Sequence, residues 1–191
     1  MLHHKQGKLV IVSAPSGAGK TTLVKHLLAN IKELSFSVSA TSRPIRPGEI
    51  DGKDYYFLSK ESFKKKIEEQ QFLEWEEVYE GVYYGTLLSE VERITTSGNH
   101  VVFDVDVIGG LNIKKYYGDR ALSIFVKAPS IAVLEERLQK RSSDSIESIS
   151  RRIEKAGYEM SFADQFDIIF VNDDLNLARA KIIHLISTFL K

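Results

Sequence analysis

Apolar positions along the chain follow two periods, and the alternation between them predicts the elements. Residues 9–12, 101–105, 122–126 and 168–171 are near-continuous apolar runs rich in β-branched side chains, the pattern of strands buried on both faces. Between them apolar residues recur at helical spacing: Leu23, Leu27 and Ile31, then Leu87, Val91 and Ile94, then Val133, Leu134 and Leu138. The same period returns in Ile146, Ile149, Ile153, Ala156 and Met160, and in Ile183, Ile186, Phe189 and Leu190. Buried strands alternating with amphipathic helices predict an α/β fold built on a parallel sheet with helices on both faces. Boundary residues sharpen the reading. Thr86, Ser130 and Asp174 stand as N-caps, Asp144 and Glu147 have capping-box spacing, Ser97-Gly98 closes a helix and Pro129 stops a strand. The run 101–107 reads as one strand carrying Asp104 and Asp106 on the same side, with a poorly patterned helix after Gly109-Gly110.

One stretch departs from this alternation. Phe36–Ser39 reads as a short strand ending in hydroxyls, after which residues 41–58 lose helical period, punctuated by Pro44, Pro47, Gly48 and Gly52. A strand is expected over Tyr55–Leu58, then a helix capped by Ser59 and carrying Phe63 and Ile67, with its lysine run as a solvated face. FLEWEEVYEGVYYGT alternates aromatic and acidic residues around Gly81 and Gly85, as a hairpin does. Residues 37–86 thus read as a mixed, partly β insertion.

Composition narrows the chemistry. The 191 residues carry 26 basic and 26 acidic side chains and no cysteine. No net field draws the chain to nucleic acid or an anionic membrane, so any bound anion must be held by a local cluster. Disulfides and thiolate metal sites are excluded, and no H-E-x-x-H marks a zinc site. With no apolar leader and no window approaching 18 apolar residues, a soluble cytoplasmic protein is expected.

The candidate chemistry starts at residues 9–28, LVIVSAPSGAGKTTLVKHLL. Strand, small-residue loop and helix are the context a phosphate-binding P-loop requires, although Ala14 stands where the strict pattern has glycine. Gly17 and Gly19 let backbone N–H groups turn inward around a polyphosphate. Lys20 supplies charge, Thr21 a hydroxyl for magnesium, and the helix N-terminus its partial positive charge. Arg43 and Arg46 sit in the proline-stiffened loop, with Tyr55, Tyr83 and Tyr84 in the same insertion. Glu74 and Asp106, set among apolar residues, need donors, either a structural Arg or Lys or a ligand's N–H groups. Asp104 follows VVF where a distal acidic group would meet the magnesium shell. Arg137 and Arg141, four apart, and Arg151-Arg152 flank the polar break 140–148, as in a mobile cap adding positive charge.

From about residue 8 to the C-terminus the chain resembles the guanylate kinases. The resemblance rests on SAPSGAGKTT, FSVSATSRPIRPGEIDGKDYYF, FLEWEEVYEGVYYGT, FDVDVIG and IIFVNDD, in that order. It implies a P-loop NTPase fold, three-layer α/β/α, with a core at 8–36 and 87–191, a GMP-binding insertion at 37–86 and a short helical lid at 137–152. The implied reaction moves the γ-phosphoryl group of ATP to GMP, and to dGMP, with Mg2+. Ser16, Gly17, Ala18, Gly19, Lys20, Thr21, Thr22 and Asn172 would bind ATP. Ser39, Glu74, Thr86 and Asp106 would recognise guanine, and Arg43, Arg46, Tyr55 and Tyr84 the GMP phosphate. Thr21 and, through water, Asp104 would serve the metal, and Lys20, Arg43, Arg137, Arg141 and Arg152 the transferring phosphoryl group. Guanine's N1–H and N2 amino group suit carboxylate acceptors, and adenine lacks them there. The family often has glutamine at Ile108 and glycine at Ser142. The alternatives are another small-substrate P-loop kinase or a non-catalytic binding module, against which the intact loop and arginines speak. GMP and ATP are the expected partners, with no nucleic acid or membrane, in a monomer or homodimer.

Overall fold

A computed structural model describes residues 7–140 and 146–191. In chain order its elements are β1 (Leu9–Ser13), α1 (Lys20–Asn30), β2 (Leu34–Phe36), β3 (Ala40–Thr41), β4 (Tyr56–Phe57), α2 (Lys60–Glu68), β5 (Phe72–Tyr79) and β6 (Val82–Leu87). There follow α3 (Leu88–Thr96), β7 (His100–Asp104), α4 (Val107–Tyr117), β8 (Ala121–Lys127), α5 (Ile131–Gln139), α6 (Ile146–Met160), β9 (Ile168–Val171) and α7 (Leu175–Leu190).

The four apolar runs and β2 form one parallel sheet in the order β2-β7-β1-β8-β9. β1 lies at its centre, with Val10 opposite Val102 on one side and Leu122 on the other. Its side chains alternate between the two faces. Val10 and Val12 join Leu23 and Leu27 of α1, Leu134 of α5, Ala156 of α6 and Ile182 and Ile186 of α7. Leu9 and Ile11 join Val91 and Ile94 of α3 and Ile113 of α4. This is the three-layer α/β/α arrangement expected, and it explains why β1 has no polar position before Ser13: both faces are covered. Each such Leu or Ile contributes about 1.5–3 kcal/mol by its burial, so the strand ends that carry the site are held by a rigid core.

A second sheet, β4-β3-β6-β5, stands apart from the first. Its hairpin β5–β6 pairs antiparallel, as expected, and packs Tyr83, Leu87 and Phe72 with Phe63 of α2. Ser59 caps α2 by accepting from the Ser62 N–H at 3.1 Å. The expected strand at 36–39 is instead the crossing between sheets: β2 ends at Phe36, β3 begins at Ala40, and the Val38 N–H donates to the buried Glu90 carboxylate at 3.2 Å. Arg93 and the Tyr56 hydroxyl donate to the same carboxylate at 2.8 and 2.9 Å. That charge is therefore a structural pin between α3 and the second sheet.

Three further boundaries differ from expectation. Thr86 does not cap α3: it is part of β6, and Leu87 holds the cap position without a side-chain bond. β7 stops at Asp104, and Asp106 is the N-cap of α4, its Oδ1 accepting from the Gly109 N–H at 2.7 Å. Gly109 and Gly110 therefore lie inside α4, not before it; a Cβ on Gly110 would strike the Ser13 hydroxyl, so the glycine lets helix and central strand approach. Ser130 and Asp174 cap α5 and α7 as read. Asp144 of the capping box lies outside the described residues.

Candidate active site

The phosphate loop is built at the end of β1. Gly17 and Gly19 have φ of +90° and +96°, which a side chain would strain, and a Cβ on Gly19 would also collide with the Asn172 amide. α1 starts at Lys20 with no side-chain cap, leaving its first N–H groups for an anion. The Lys20 ammonium lies 2.9 Å from Asp104 Oδ1 and donates to the Val105 carbonyl at 2.6 Å. The Thr21 hydroxyl donates to Asp104 Oδ2 at 3.0 Å. Lysine, hydroxyl and carboxylate are thus in mutual contact.

Asp104 also lines a cleft of about 430 Å³, whose other walls include Ser39, Arg46, Tyr55, Glu74, Tyr84 and Asp106. Glu74 on β5 faces Thr86 across the hairpin and accepts from its hydroxyl at 2.6 Å. Burial pushes the Glu74 carboxyl up to about 7, with the Thr86 bond opposing and the Asp106 charge adding to the rise. The aromatic wall is Tyr55 and Tyr84, edge to face at 5.8 Å. Arg43 lies behind it, its Nε donating to the Tyr84 hydroxyl at 3.1 Å and its guanidinium 5.0 Å from the Tyr55 ring centre. Tyr83, one residue earlier on β6, points the other way into the small core of the second sheet.

On the opposite side of the loop a smaller hollow is lined by Gly17, Gly19, Thr22, Arg137, Lys140 and Asn172. Asn172 is buried; its amide nitrogen donates to the Ala18 carbonyl at 2.8 Å, while Oδ1 has no partner among the described residues. Arg137, partly exposed, donates to the Asn172 and Asp173 carbonyls at 3.0 and 3.2 Å. Ser16 and Ala18 belong to the loop, and Arg152 lies half-buried on α6. Arg141 and Ser142 lie outside the described residues.

Three carboxylates here were not singled out in the sequence. Glu76 follows Glu74 by two on β5, so strand alternation alone puts both on one face; a hydrogen bond shared with Asp106 pushes its carboxyl up. Glu159 of α6 is buried against the phosphate-loop side of the cleft, and burial pushes its carboxyl up, with no local pattern to betray it. Glu49 pairs with Arg43 inside the irregular loop, where periodicity gives no signal. Ile108, 44% exposed in the first turn of α4, borders a small hollow with Glu76 and Tyr158 and offers no side-chain hydrogen bond.

A parallel sheet whose central strand runs into this loop, with the distal aspartate on the neighbouring strand, defines a P-loop protein that binds nucleotide phosphates. Comparison narrows the class. The family model described as guanylate kinase matches residues 6–189. The guanylate kinase of Bacteroides thetaiotaomicron is 55% identical over 184 residues, covering 96% of this chain and 90% of the relative. That of Porphyromonas gingivalis is 56% identical over 169 residues, 88% of this chain and 90% of the relative. The crystal structure of guanylate kinase from Anaplasma phagocytophilum superposes with a TM-score of 0.75 at 27% identity, over 96% of this chain and 86% of that one. The chain belongs to the guanylate kinase family.

Proposed function

We infer that this guanylate kinase moves the γ-phosphoryl group of ATP to GMP, giving ADP and GDP, with ATP on the loop before α1 and GMP in the tyrosine-walled cleft. The observation that carries the reading is Asp104. One of its faces meets Lys20 and Thr21 of the phosphate loop, and the same residue lines the cleft. Two nucleotides bound there would bring their phosphates together at the end of β7.

Each side chain then has a task. Glu74 and Asp106 accept from guanine N1–H and the N2 amino group, while Ser39 and Thr86 supply hydroxyls beside them. Arg43, Arg46, Tyr55 and Tyr84 hold the GMP phosphate. Ser16, Gly17, Ala18, Gly19 and Thr22 wrap the ATP phosphates, and Asn172 borders the adenine. A GMP phosphate oxygen, already anionic, attacks the γ-phosphorus; the new P–O bond forms as the bond to the β–γ bridging oxygen breaks, and ADP leaves with that electron pair. No protein nucleophile is needed, because alignment and charge supply the catalysis. Lys20 faces the charge that develops on the phosphates, and Arg137, Arg141 and Arg152 add to it from a lid spanning 137–152 that excludes water.

The hydroxyl of Thr21 and the carboxylate of Asp104 form an all-oxygen pair that suits magnesium. They would hold the ion directly or through water, and it would neutralise charge on the β- and γ-phosphates. No group of three or more carboxylate, histidine or cysteine ligands exists among the described residues. The core (8–36 and 87–191), the acceptor-binding insertion (37–86) and the lid are the working parts of this reading. No described helix is long and apolar enough to cross a membrane.

Transfer is tested by following label. With γ-labelled ATP, GMP and magnesium, label should appear in GDP; label released only as inorganic phosphate would contradict direct transfer.

A further inference from the structure

We propose that Glu49 is a positioning residue for the acceptor phosphate: it grips Arg43 by the end of its guanidinium, so that the Nε–Nη2 edge stays turned toward the cleft. The proposal rests on the reading of the cleft as the acceptor site. Glu49 Oε2 accepts from Arg43 Nη1 at 2.7 Å and Oε1 from Nη2 at 2.6 Å, a two-point fork. Nη1 also donates to the Pro44 carbonyl at 3.0 Å, and Nε to Tyr84 at 3.1 Å. A guanidinium has five N–H groups. The remaining one is on Nη2, beside Nε, on the edge that faces the Tyr84 hydroxyl. A phosphate oxygen arriving next to Tyr84 meets that edge and no other.

The same carboxylate organises the loop. Glu49 Oε2 accepts from the Arg46 N–H at 2.9 Å, and the Glu49 N–H donates back to the Arg46 carbonyl at 3.1 Å. One side chain thereby fixes the orientation of Arg43 and the backbone that presents Arg46. The rings of Tyr55 and Phe57, 5.0 and 5.4 Å from the guanidinium carbon, pack against it. Arg43 is only 9% exposed, so its charge needs a partner even in the empty protein. The hydrogen bonds to Arg43 hold the Glu49 carboxyl down at about 2, so the pair stays ionised throughout the neutral range.

A rival role would make Glu49 a resident stand-in for the phosphate, displaced when acceptor binds. The hydrogen bonds favour the first role: Glu49 takes the Nη1–Nη2 end of Arg43 and leaves the Nε–Nη2 edge beside the hydroxyl of Tyr84, which lines the cleft, whereas neither Arg43 nor Glu49 does. Glu49 lowers the local positive charge, and in return the fork is already aimed when phosphate arrives.

The two roles predict opposite signs. For Glu49→Ala, the KM for GMP should rise about tenfold or more while the KM for ATP stays within about twofold, and Glu49→Gln, which keeps one acceptor oxygen, should fall between. A KM for GMP that is unchanged or lower overturns the proposal, and so does an equal rise for both nucleotides, which is the mark of a merely structural loss. Should Glu49→Ala fail to fold, Glu49→Gln carries the test alone and in the Arg43→Ala background, where it should add nothing; a rise of full size there overturns the proposal. Arg43→Ala by itself separates the two layers. If it raises the KM for GMP and Glu49→Gln does not, only the role of Glu49 fails; if it leaves that KM unchanged, the acceptor-phosphate reading fails with it.

Discussion

Glu74 shows how far single residues could be read in advance. Its place in FLEW marked it as a carboxylate among apolar neighbours in need of donors, but not whether a protein cation or a ligand would supply them. The hairpin register answers in part: across the hairpin the donor is the Thr86 hydroxyl. That leaves a carboxyl held by burial at about 7 against an ordinary 4.5. Raised in the folded state, this group favours the empty fold most below pH 4.5, and that contribution is lost as pH rises through about 7. Guanine needs the ionised form, so the acceptor gains where the empty fold loses. The KM for GMP should therefore fall as pH rises from about 6 to about 8 and level off above, whereas Glu74→Gln should have a higher KM that lacks this component. Profiles measured in parallel check this, and identical slopes in the two proteins would remove Glu74 from base recognition. Arg43 was legible as chemistry from its proline-stiffened loop. Its lock was not, because the partner six residues on follows no period.

At the scale of elements, strong periodicity was read correctly, as were the caps Ser59, Ser130 and Asp174, but other junctions were not. The end of β7 is the instructive case: VVFDVDV has the composition of one seven-residue strand, yet the chain turns after Asp104 because Asp106 caps α4. An N-cap and a strand residue are indistinguishable in an apolar run, and tertiary contact between Gly110 and Ser13 selects the helix. The misreading left the site intact, since Asp104 and Asp106 still reach the same cleft from a strand end and a helix start. α5 is a junction of another kind. Arg137 is tied to two carbonyls at the start of the turn before α7, while facing the hollow beside the phosphate loop. If its task is to stabilise charge on the transferring group, Arg137→Ala should lower kcat about tenfold or more. Losing partly exposed hydrogen bonds should cost only about 1 kcal/mol, or about 2–4 °C in Tm. Both quantities measured on one preparation decide: a lowered Tm with unchanged kcat would make Arg137 a strut.

Over the whole molecule, the main sheet was legible because β1, β7 and β8 are buried on both faces and so carry near-continuous apolar runs, while the edge strand β9 keeps an apolar run although Ile169 and Val171 are exposed. The second sheet was legible at its hairpin and at β4, which falls within the strand expected over Tyr55–Leu58. β3 and β4 have two residues each, too few for any period to register; β3 forms on the edge of the longer β6, and β4 on the edge of β3. The division of labour nonetheless follows from the two sheets. The parallel one carries the phosphate loop, the mixed one carries Arg43, Tyr55, Glu74 and Tyr84, and the cleft between them is floored by β7's end. What the account claims above all is that this cleft selects guanine while the loop handles ATP. The most direct measurement is kcat/KM for GMP against AMP as acceptor, with ATP and magnesium fixed and ADP release as the signal. Adenine would present a bare N1 acceptor to Glu74 and Asp106 and leave both carboxylates without donors. The account predicts a preference for GMP of about 10² to 10⁴, and equal values for the two acceptors would contradict it.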